Sequence, residues 1–468
     1  MKIVIFSINP IFANVVTGGA SKHLYHIAER LGANGHSVDV FSPKSKQQAT
    51  PFDWVNNVRV FPVLPLHIPF PQPYAISGAD LALVVDRLSR ALEDADRFYI
   101  HDGELLVPDL YQAIPTTTSF RDNIYPESVL GSFIGKADEV ISVSDYSADV
   151  IEYTAGRFYP GLKERLHRVN NGIDFDIFSP SDTSALAKRL GVNTNTDFVI
   201  LHPHRPEQGK GLPQTIQVVE RLVHKHEISN IKVLVPEWLG EMVSPGDSEF
   251  YNAMMRLMQD LGVRKYFKFI PWMPIGRMPE LYSLGNVTLS LGNFVEAFGN
   301  VAYESLACGT PSIVARVGVH RSMLPNDLID KVHYGDIDSV VDLILAIRDG
   351  RAFNHDKVLS TLKSMMDFDT QVDTYAEIIT SCEKRDQLAF NLPGFKEDQS
   401  FILAPWCYLD DERIFHDFRG VFEQAGSLAQ LIKGKKYVTH QQAAALGISE
   451  DDWETWIEKT WIVPAENG

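Results

Sequence analysis

The sequence predicts an α/β fold of two doubly wound domains, followed by a small, mainly helical C-terminal module. Two patterns indicate this fold. Short apolar runs alternate with stretches whose apolar residues recur every three or four positions, as in repeated β-α-β units. From residue 391 that alternation stops. We therefore predict an N-terminal domain over 1–180, a second domain over 181–364, a return helix to the N-terminal domain over 365–390 and an extension over 391–468.

The composition excludes several classes of protein. The 468 residues are 45% hydrophobic and 22% charged, which excludes a disordered chain and favours two or three domains. The formal net charge of −17 argues against binding nucleic acid or an anionic membrane surface. Three widely spaced cysteines cannot form a disulfide framework or a CxxC zinc site. Neither a signal peptide nor an apolar stretch of about 18 residues is visible, so a soluble, cytoplasmic protein is expected.

The N-terminal domain opens with one β-α-β unit. An apolar strand over 2–7 precedes a glycine loop at Gly18 and Gly19. A helical face starts at Ser21, and a second strand covers 37–41. Further strands are predicted at 97–101, 139–144 and 168–170. The proline-rich stretch 62–73 is predicted to be a surface loop, because proline cannot donate to a β-ladder.

In the second domain a new sheet begins near Asp197, and its five predicted strands lie in the runs FVILHPH, IKVLVPE, YFKFIPW, VTLSLG and TPSIVA.

The C-terminal extension contains two short helical segments joined at a glycine, a pattern that superficially matches a helix-turn-helix. Its acidic balance, with 7 basic and 13 acidic residues, argues against DNA binding. A packing or dimerisation module is favoured. Trp453, Trp456 and Trp461 are expected in a local core or an interface.

The most informative segment is residues 295–311, VEAFGNVAYESLACGTP. Glu296 and Glu304 stand eight positions apart around a glycine that opens a predicted helix over 300–308. A helix N-terminus offers backbone N–H groups and partial positive charge to a diphosphate, while the carboxylates can accept hydrogen bonds from sugar hydroxyls.

In order and spacing, these motifs resemble the retaining family 4 glycosyltransferases, whose GT-B fold has two Rossmann-like domains facing a cleft. The resemblance covers residues of about 1 to 385. The residues that carry it are Gly18-Gly19, His101, Val143 to Ser147, Asn170 to Asp174, Phe178, Pro180, Arg205, Lys210-Gly211 and the string from Glu296 to Glu304.

The resemblance implies an enzyme that transfers a sugar from a nucleotide diphosphate sugar with retention of configuration and without a metal. Arg205 and Lys210 would neutralise the diphosphate. Glu304 would hold the ribose, and Glu296 a hydroxyl of the donor sugar. His101 would contact that sugar near the reacting carbon.

Backbone groups complete the implied donor site. N–H groups of Phe298, Gly299 and Asn300 would assist in binding the diphosphate. Gly18 and Gly19 would let the first loop approach it, because a Cβ there would obstruct contact. No cofactor is implied, since the nucleotide sugar is a co-substrate. Two DxD sequences, at 174–176 and 336–338, match the metal motif of another glycosyltransferase fold and are interpreted as incidental.

Three positions depart from the family pattern. His204 stands where a glycine is usual, Pro271-Trp272 stands where a glycine often precedes base contacts, and residues 316–321 replace a glycine-rich donor loop that leads to a glutamate. These changes leave the identity of the base and the sugar open.

The acceptor is expected to be a soluble small molecule, oligosaccharide or peptide. Residues 62–73 and 121–125 could line its site, and no basic amphipathic helix favours a lipid. Neither a nucleic acid nor an integral membrane partner is expected, and the extension could support a homo-oligomer. Alternatives on the same fold are a sugar-nucleotide epimerase, a phosphorylase, and a nucleotide-sugar-binding protein without catalytic activity.

Overall fold

The computed structural model describes residues 1–13, 18–68, 72–103, 105–205, 207–237, 245–392 and 399–465. The chain forms two compact units. Unit 1 consists of Met1–Asn170 and Thr370–Gly468, and unit 2 of Asn171–Asp369. No helix in these described ranges is long and apolar enough to cross a membrane.

Unit 1 is built around an eight-stranded sheet with the strand order β3-β4-β2-β1-β5-β6-β7-β8. All neighbouring strands are parallel except β3 and β4. Its strands and first helices are β1 (Lys2–Ser7), α1 (Gly18–Ala33), β2 (Ser37–Pro43), β3 (Phe52–Val55), β4 (Val58–Leu64), α2 (Gly78–Leu92), β5 (Arg97–His101), β6 (Thr116–Phe120), α3 (Pro126–Ile134), β7 (Glu139–Ser142), α4 (Asp145–Tyr153) and β8 (Leu166–Arg168).

Residues 3–6 of the central strand β1 are all apolar because helices cover both faces of the sheet. Ile3 and Ile5 pack into a core with helix α1, whereas Val4 and Phe6 pack into a second core with helix α2. Successive side chains of a strand point to opposite faces, so both sets of side chains in this strand are buried. The predicted strand 2–7 is therefore confirmed at both ends.

Two local predictions in unit 1 are corrected. Helix α1 begins at Gly18, so Gly18 and Gly19 lie in its first turn and not in a loop before it. Strand β4 extends to Leu64 and includes Pro62, where a loop was predicted. The ladder between β3 and β4 ends at Val60, so Pro62 lies where β4 has only β2 as a partner and a missing N–H is tolerated. Residues 69–71 of that predicted loop lie outside the described residues.

Unit 2 contains a six-stranded parallel sheet with the order β11-β10-β9-β12-β13-β14. The five predicted strands are confirmed, and the short edge strand β14 was missed. The elements are α5 (Ser184–Leu190), β9 (Phe198–Leu201), α6 (Leu212–His224), β10 (Ile231–Pro236), α7 (Pro245–Asp260), β11 (Phe267–Ile270), α8 (Met278–Leu284), β12 (Val287–Ser290), α9 (Asn300–Ala307), β13 (Ser312–Ala315), β14 (Asp330–Val332), α10 (Ile337–Arg348) and α11 (His355–Met365).

The direction of winding reverses once in each of the two large sheets. In unit 2 the chain proceeds from β9 outward through β10 and β11, then returns to the other side of β9 as β12. In unit 1 the same reversal separates β1 from β5. Ligands of open α/β sheets bind outside the carboxyl ends of the strands at such a switch point.

The chain returns to unit 1 through helix α12 (Phe368–Ser381). Its side chains Tyr375 and Ile379 are buried in the core that also holds helix α1. A helix returning to the N-terminal part of the chain was predicted over 365–390.

The C-terminal extension is mixed α/β, so the prediction of a mainly helical module is corrected. Two three-stranded antiparallel sheets have the orders β19-β15-β20 and β16-β17-β18. The elements are β15 (Ser400–Leu403), β16 (Cys407–Asp410), β17 (Arg413–His416), β18 (Val421–Gln424), α13 (Gly426–Ile432), β19 (Val438–Thr439), α14 (His440–Ala445), α15 (Glu450–Glu458) and β20 (Ile462–Pro464). Helices α14 and α15 are the predicted pair joined at a glycine.

The tryptophans form a local core in this extension, which was one of the two predicted alternatives. Trp453, Trp456 and Trp461 are all buried, and the ring of Trp453 packs edge-on against Phe401. The apolar, strand-like end that the sequence predicts after the two helices is confirmed as β20. The other strands were missed because each is only two to four residues long, which is too short for a period of two to emerge.

Candidate active site

In unit 2, two loops at the carboxyl edge of the sheet are held together by backbone contact. Gly211 has φ of +92°, and an added Cβ would lie 2.5 Å from the backbone nitrogen of Gly292. The N–H of Phe294 donates to the carbonyl of Gly209 at 2.9 Å. The loop after β9 and the loop after β12 therefore approach each other more closely than side chains would permit.

This close approach places two predicted site residues in direct contact. The ammonium of Lys210 donates to Glu296 Oε1 at 2.7 Å, and it also lies 3.4 Å from the ring centre of Phe294. Both side chains of the ion pair are largely but not completely buried. Lys210 follows β9 and Glu296 follows β12, so the pair stands at the switch point of this sheet.

Helix α9 starts beside this ion pair. It covers 300–307, one residue shorter than the predicted helix over 300–308. Its N-cap Gly299 has φ of +76°, which favours glycine. Asn300, the first helical residue, accepts a hydrogen bond from the side chain of Asn171 at 3.3 Å. The side chain of Phe298 is buried against Tyr303, so the group that it can offer a ligand is its backbone.

Glu304 lies one helical turn further along α9 and is held from a neighbouring helix. The hydroxyl of Tyr282 donates to Glu304 Oε2 at 2.9 Å. Burial first, and then the charge of Glu304, raise the pKa of Tyr282 well above its usual range, so this phenol stays a neutral donor. The hydrogen bond fixes the orientation of the carboxylate.

A third loop, which follows β13, packs on the backbone of Glu296. Gly318 has φ of +57°, and an added Cβ would lie 2.7 Å from the Glu296 carbonyl oxygen. The N–H of Val319 donates to that same oxygen at 3.2 Å. The next residue, His320, is brought over Gly299 as a result.

Two histidines that sequence reasoning noted only as departures lie in this cluster. His204 Nε2 is 2.9 Å from Ser290 Oγ, and His320 Nδ1 is 3.1 Å from the Tyr303 hydroxyl. Burial, followed by the charge of Lys210, lowers the pKa of His204 to about 3. Burial lowers that of His320 to about 4, although Glu296 opposes the shift. Both imidazoles are therefore neutral at pH 7.

Arg205 is not in contact with the Lys210 cluster. Its side chain is 59% exposed, and its Nε lies 3.0 Å from Glu207 Oε1 within the same loop. Both predicted diphosphate-binding cations are thus paired with carboxylates. Lys210 with Glu296 and Arg205 with Glu207 form two formally neutral pairs.

In unit 1, His101 ends β5 at the corresponding switch point and is almost completely buried. Its Nδ1 is 2.9 Å from the Tyr99 hydroxyl, and its Nε2 is 3.1 Å from the carbonyl oxygen of Ala20 in the first turn of α1. Burial, and secondarily the charge of Arg121, keeps the pKa of His101 well below its usual range. An imidazole with both nitrogens engaged is neutral and fixed in orientation.

A buried charged group next to His101 was missed by sequence reasoning. Asp102 has φ of +73° and lies 3.5 Å from Arg121 Nε. Burial raises the pKa of its carboxyl to about 6, while Arg121 opposes that shift. Arg121 also contacts the ring of His23. The strained aspartate after the strand could not be seen in the sequence, although Arg121 lies within the stretch considered for the acceptor.

Gly18 and Gly19 open helix α1 in this same unit. Among the described residues, which do not include 14–17, an added Cβ on Gly19 would meet no atom within 4 Å. Packing against these residues does not require a glycine at Gly19, and the predicted approach to a ligand stays a prediction.

The DxD sequences have structural roles. Asp174 Oδ1 accepts hydrogen bonds from the backbone N–H groups of Asp176 and Ile177 at 3.1 and 3.2 Å. Asp336 is the N-cap of α10 and accepts from the Ser339 N–H at 3.1 Å. Both sequences were interpreted as incidental to metal binding.

Two doubly wound sheets with charged and polar residues at their switch points define a GT-B glycosyltransferase. The chain belongs to the family 4 and group 1 glycosyltransferases. The family model described as Glycosyltransferase Family 4 matches residues 17–177. The model described as Glycosyl transferases group 1 matches residues 187–347. The resemblance seen in the sequence is thereby confirmed, and the protein is an enzyme of the transferase class.

Similar curated proteins include two bacterial glycosyltransferases. The chain is 24% identical over 327 residues to D-inositol 3-phosphate glycosyltransferase 1 of Catenulispora acidiphila, covering 64% of this chain and 75% of that protein. It is 27% identical over 332 residues to D-inositol 3-phosphate glycosyltransferase of Acidothermus cellulolyticus, covering 64% and 71%.

Solved structures confirm the fold. Anabaena Alr3699/HepE in complex with UDP and glucose matches with a TM-score of 0.64 at 20% identity, over 81% of this chain and 100% of that chain. Sucrose-phosphate synthase from Thermosynechococcus elongatus matches with a TM-score of 0.64 at 17% identity, over 81% and 98%.

Proposed function

We propose that the protein transfers a glycosyl group from a nucleotide diphosphate sugar to a hydroxyl of a soluble acceptor, with retention of configuration and without a metal. The observation that carries this proposal is the Lys210–Glu296 pair, 2.7 Å apart, beside the N-terminus of α9 at the switch point of the sheet. A cation, a carboxylate and free helix N–H groups meet there, as a sugar diphosphate requires.

Each group has a distinct role in this proposal. Lys210 and Arg205 bind the diphosphate together with backbone N–H groups of Phe298, Gly299 and Asn300. Glu304, oriented by Tyr282, accepts from the ribose hydroxyls. Glu296 accepts from a hydroxyl of the sugar.

The proposal also assigns roles to residues of unit 1. His101 contacts the donor sugar near its anomeric carbon, and the turn at Gly18 and Gly19 approaches the diphosphate. Because His101 is neutral, it does not repel a positive charge that develops at the anomeric carbon.

The reaction needs no protein nucleophile in this scheme. The bond from the anomeric carbon to the diphosphate oxygen breaks while the acceptor oxygen bonds to the same face of that carbon. The acceptor proton passes to the leaving diphosphate. No side chain is therefore assigned as a base, and catalysis rests on holding the developing negative charge of the diphosphate.

The relatives suggest which substrates to test first. One structural neighbour is described with UDP and with glucose, and the curated relatives are named for D-inositol 3-phosphate. UDP-glucose therefore leads a donor panel with GDP-, ADP- and dTDP-sugars. D-inositol 3-phosphate leads an acceptor panel of soluble polyols, sugar phosphates and peptides.

Release of the nucleoside diphosphate, measured with and without acceptor, tests the proposal. We expect release that depends on acceptor and persists in EDTA, and a product whose anomeric configuration by NMR matches the donor. Lys210→Ala should lower kcat/KM about 10²- to 10³-fold, because a fixed charge on the leaving group is lost. Lys225→Ala is the matched control, since Lys225 is an exposed lysine of the same unit, 3.7 Å from Asp338.

Other outcomes would point to other activities. Release without acceptor would indicate an epimerase or hydrolase, and donor binding without turnover would indicate a binding protein. Unchanged activity in both Lys210→Ala and Arg205→Ala would refute the assigned diphosphate site.

A further inference from the structure

His320 lies at the edge of the proposed donor site but belongs to a loop that departs from the family pattern. It follows β13 in a short 3₁₀ turn, Gly318–Arg321, and its side chain is buried, with the residue only 6% exposed. The turn is anchored to the backbone of Glu296 through the Val319 N–H. The position of His320 is therefore set by the same loop that carries Glu296.

The imidazole of His320 occupies the space above the N-cap of α9. A Cβ added to Gly299 would lie 2.4 Å from His320 Cε1 and 2.6 Å from its Nε2. Such distances are too short for any residue other than glycine, so the Nε2 edge of the ring faces the backbone from which helix α9 begins.

The other nitrogen of the ring has a fixed partner. Nδ1 lies 3.1 Å from the hydroxyl of Tyr303, one turn into α9. Burial raises the pKa of Tyr303, and the charge of Glu296 raises it further, so the phenol keeps its proton. This hydroxyl can donate to Nδ1, and in that arrangement the imidazole proton lies on Nε2.

Nε2 has no hydrogen-bond partner among the described residues. The ring is close enough to Lys210 and Glu296 for both charges to act on it, and Lys331 acts on it from the next strand. A helix N-terminus is where an anion binds, and an N–H donor beside that terminus can take part in the binding.

Charge in the donor site points to the same conclusion. Both predicted cations are already paired, Lys210 with Glu296 and Arg205 with Glu207. A diphosphate entering two neutral pairs gains less than it would from two free cations. Neutral N–H donors aimed at its oxygens are therefore needed in addition to the backbone of α9.

We propose that His320 is a further donor-binding residue, whose Nε2–H donates a hydrogen bond to the diphosphate of the nucleotide sugar at the N-terminus of α9. This inference rests on the proposed function of the site. Tyr303 is a positioning residue in this proposal, in which its hydroxyl donates to Nδ1 of the tautomer that carries the proton on Nε2.

Binding of nucleoside diphosphates and of the matching nucleosides separates this role from a structural one. Isothermal titration is run with UDP and uridine, and in parallel with GDP and guanosine, on the full-length chain. His320→Leu should weaken diphosphate binding about tenfold or more, as expected for a hydrogen bond to a charged group, and leave nucleoside binding unchanged. His320→Gln, which keeps an N–H donor at similar reach, should recover most of the loss.

A second variant keeps the imidazole in place. Tyr303→Phe should weaken diphosphate binding by a few fold only, since the ring remains but its tautomer is no longer selected. His224→Gln is the control for a histidine change in the same unit, because His224 ends α6, about 20 Å along that helix from its start.

The outcomes separate this inference from the proposed function. If the wild type and Lys225→Ala bind no nucleoside diphosphate, both are refuted. If Lys210→Ala weakens binding but His320→Leu does not, or if His320→Leu weakens nucleoside and diphosphate equally, only the role of His320 is refuted.

Discussion

The contact between Gly299 and His320 leads to a prediction about stability that does not depend on substrate. Gly299→Ala places a Cβ 2.4 Å from His320 Cε1 in a residue with φ of +76°. The left-handed backbone costs an alanine about 1–2 kcal/mol. The overlap with a buried ring adds about 1–3 kcal/mol, because the ring must shift. We expect a total loss near 3 kcal/mol.

Two further variants separate these costs. Gly191→Ala is the matched control, since Gly191 has φ of +60° in the same unit and no atom within 4 Å of an added Cβ. It should lose about 1 kcal/mol, the backbone cost alone. In a His320→Ala background, Gly299→Ala should also lose only about 1 kcal/mol, because the ring that it meets is absent.

The assay is calorimetric unfolding of each variant. For a domain of 150–250 residues, about 3 kcal/mol corresponds to a fall in Tm of roughly 6–12 °C, and about 1 kcal/mol to roughly 2–4 °C. The quantity to determine is the coupling free energy between Gly299→Ala and His320→Ala. If Gly299→Ala costs the same with and without the His320 ring, the ring does not constrain Gly299 and the reasoning fails.

Three other predictions concern charge and the extension. Asp102→Asn keeps a side chain that tolerates the positive φ. The native pKa of Asp102, about 6, exceeds its ordinary 3.8, so its contribution is present below about pH 4 and lost as pH rises through 6. As pH rises from 4 to 7, denaturation of both proteins should therefore show Asp102→Asn gaining stability relative to wild type. A difference in the free energy of unfolding that stays constant over this range would contradict the prediction. Burial lowers the pKa of Lys331 from 10.5 to about 8, so between those values the unfolded chain binds more protons and stability rises with pH. From pH 8 to pH 10, the free energy of unfolding of the wild type should therefore rise relative to that of Lys331→Met. Denaturation of both proteins at several pH values measures this difference. Tyr146→Phe removes the buried hydrogen bond from the Tyr146 hydroxyl to Asp417, 2.8 Å long, that ties α4 to the extension. The loss of about 1–3 kcal/mol should speed proteolytic release of the extension, whereas Tyr437→Phe, at a half-exposed tyrosine, should not.

The secondary structure of the two sheets could be predicted because burial on both faces leaves a simple pattern. Strands such as β1 and β5 have apolar, buried interiors between polar ends and were located to the residue. The extension could not be predicted in this way. Its strands are short, and their pairing joins residues as distant as Phe401 and Pro464, which no local pattern records.

The sequence by itself determined the family, the order of the motifs and the residues at the carboxyl ends of the strands. These follow from local spacing, because a strand, a loop and a helix are contiguous in the chain. Lys210 and Glu296 could be nominated separately on that basis.

Only the tertiary structure decided which of those residues meet and in what state of charge. Glycine contacts between loops pair Lys210 with Glu296, and burial makes His204 and His320 neutral. The reason is physical. Ion pairing and desolvation depend on distance and on exclusion of water, and both are set by parts of the chain far apart in sequence.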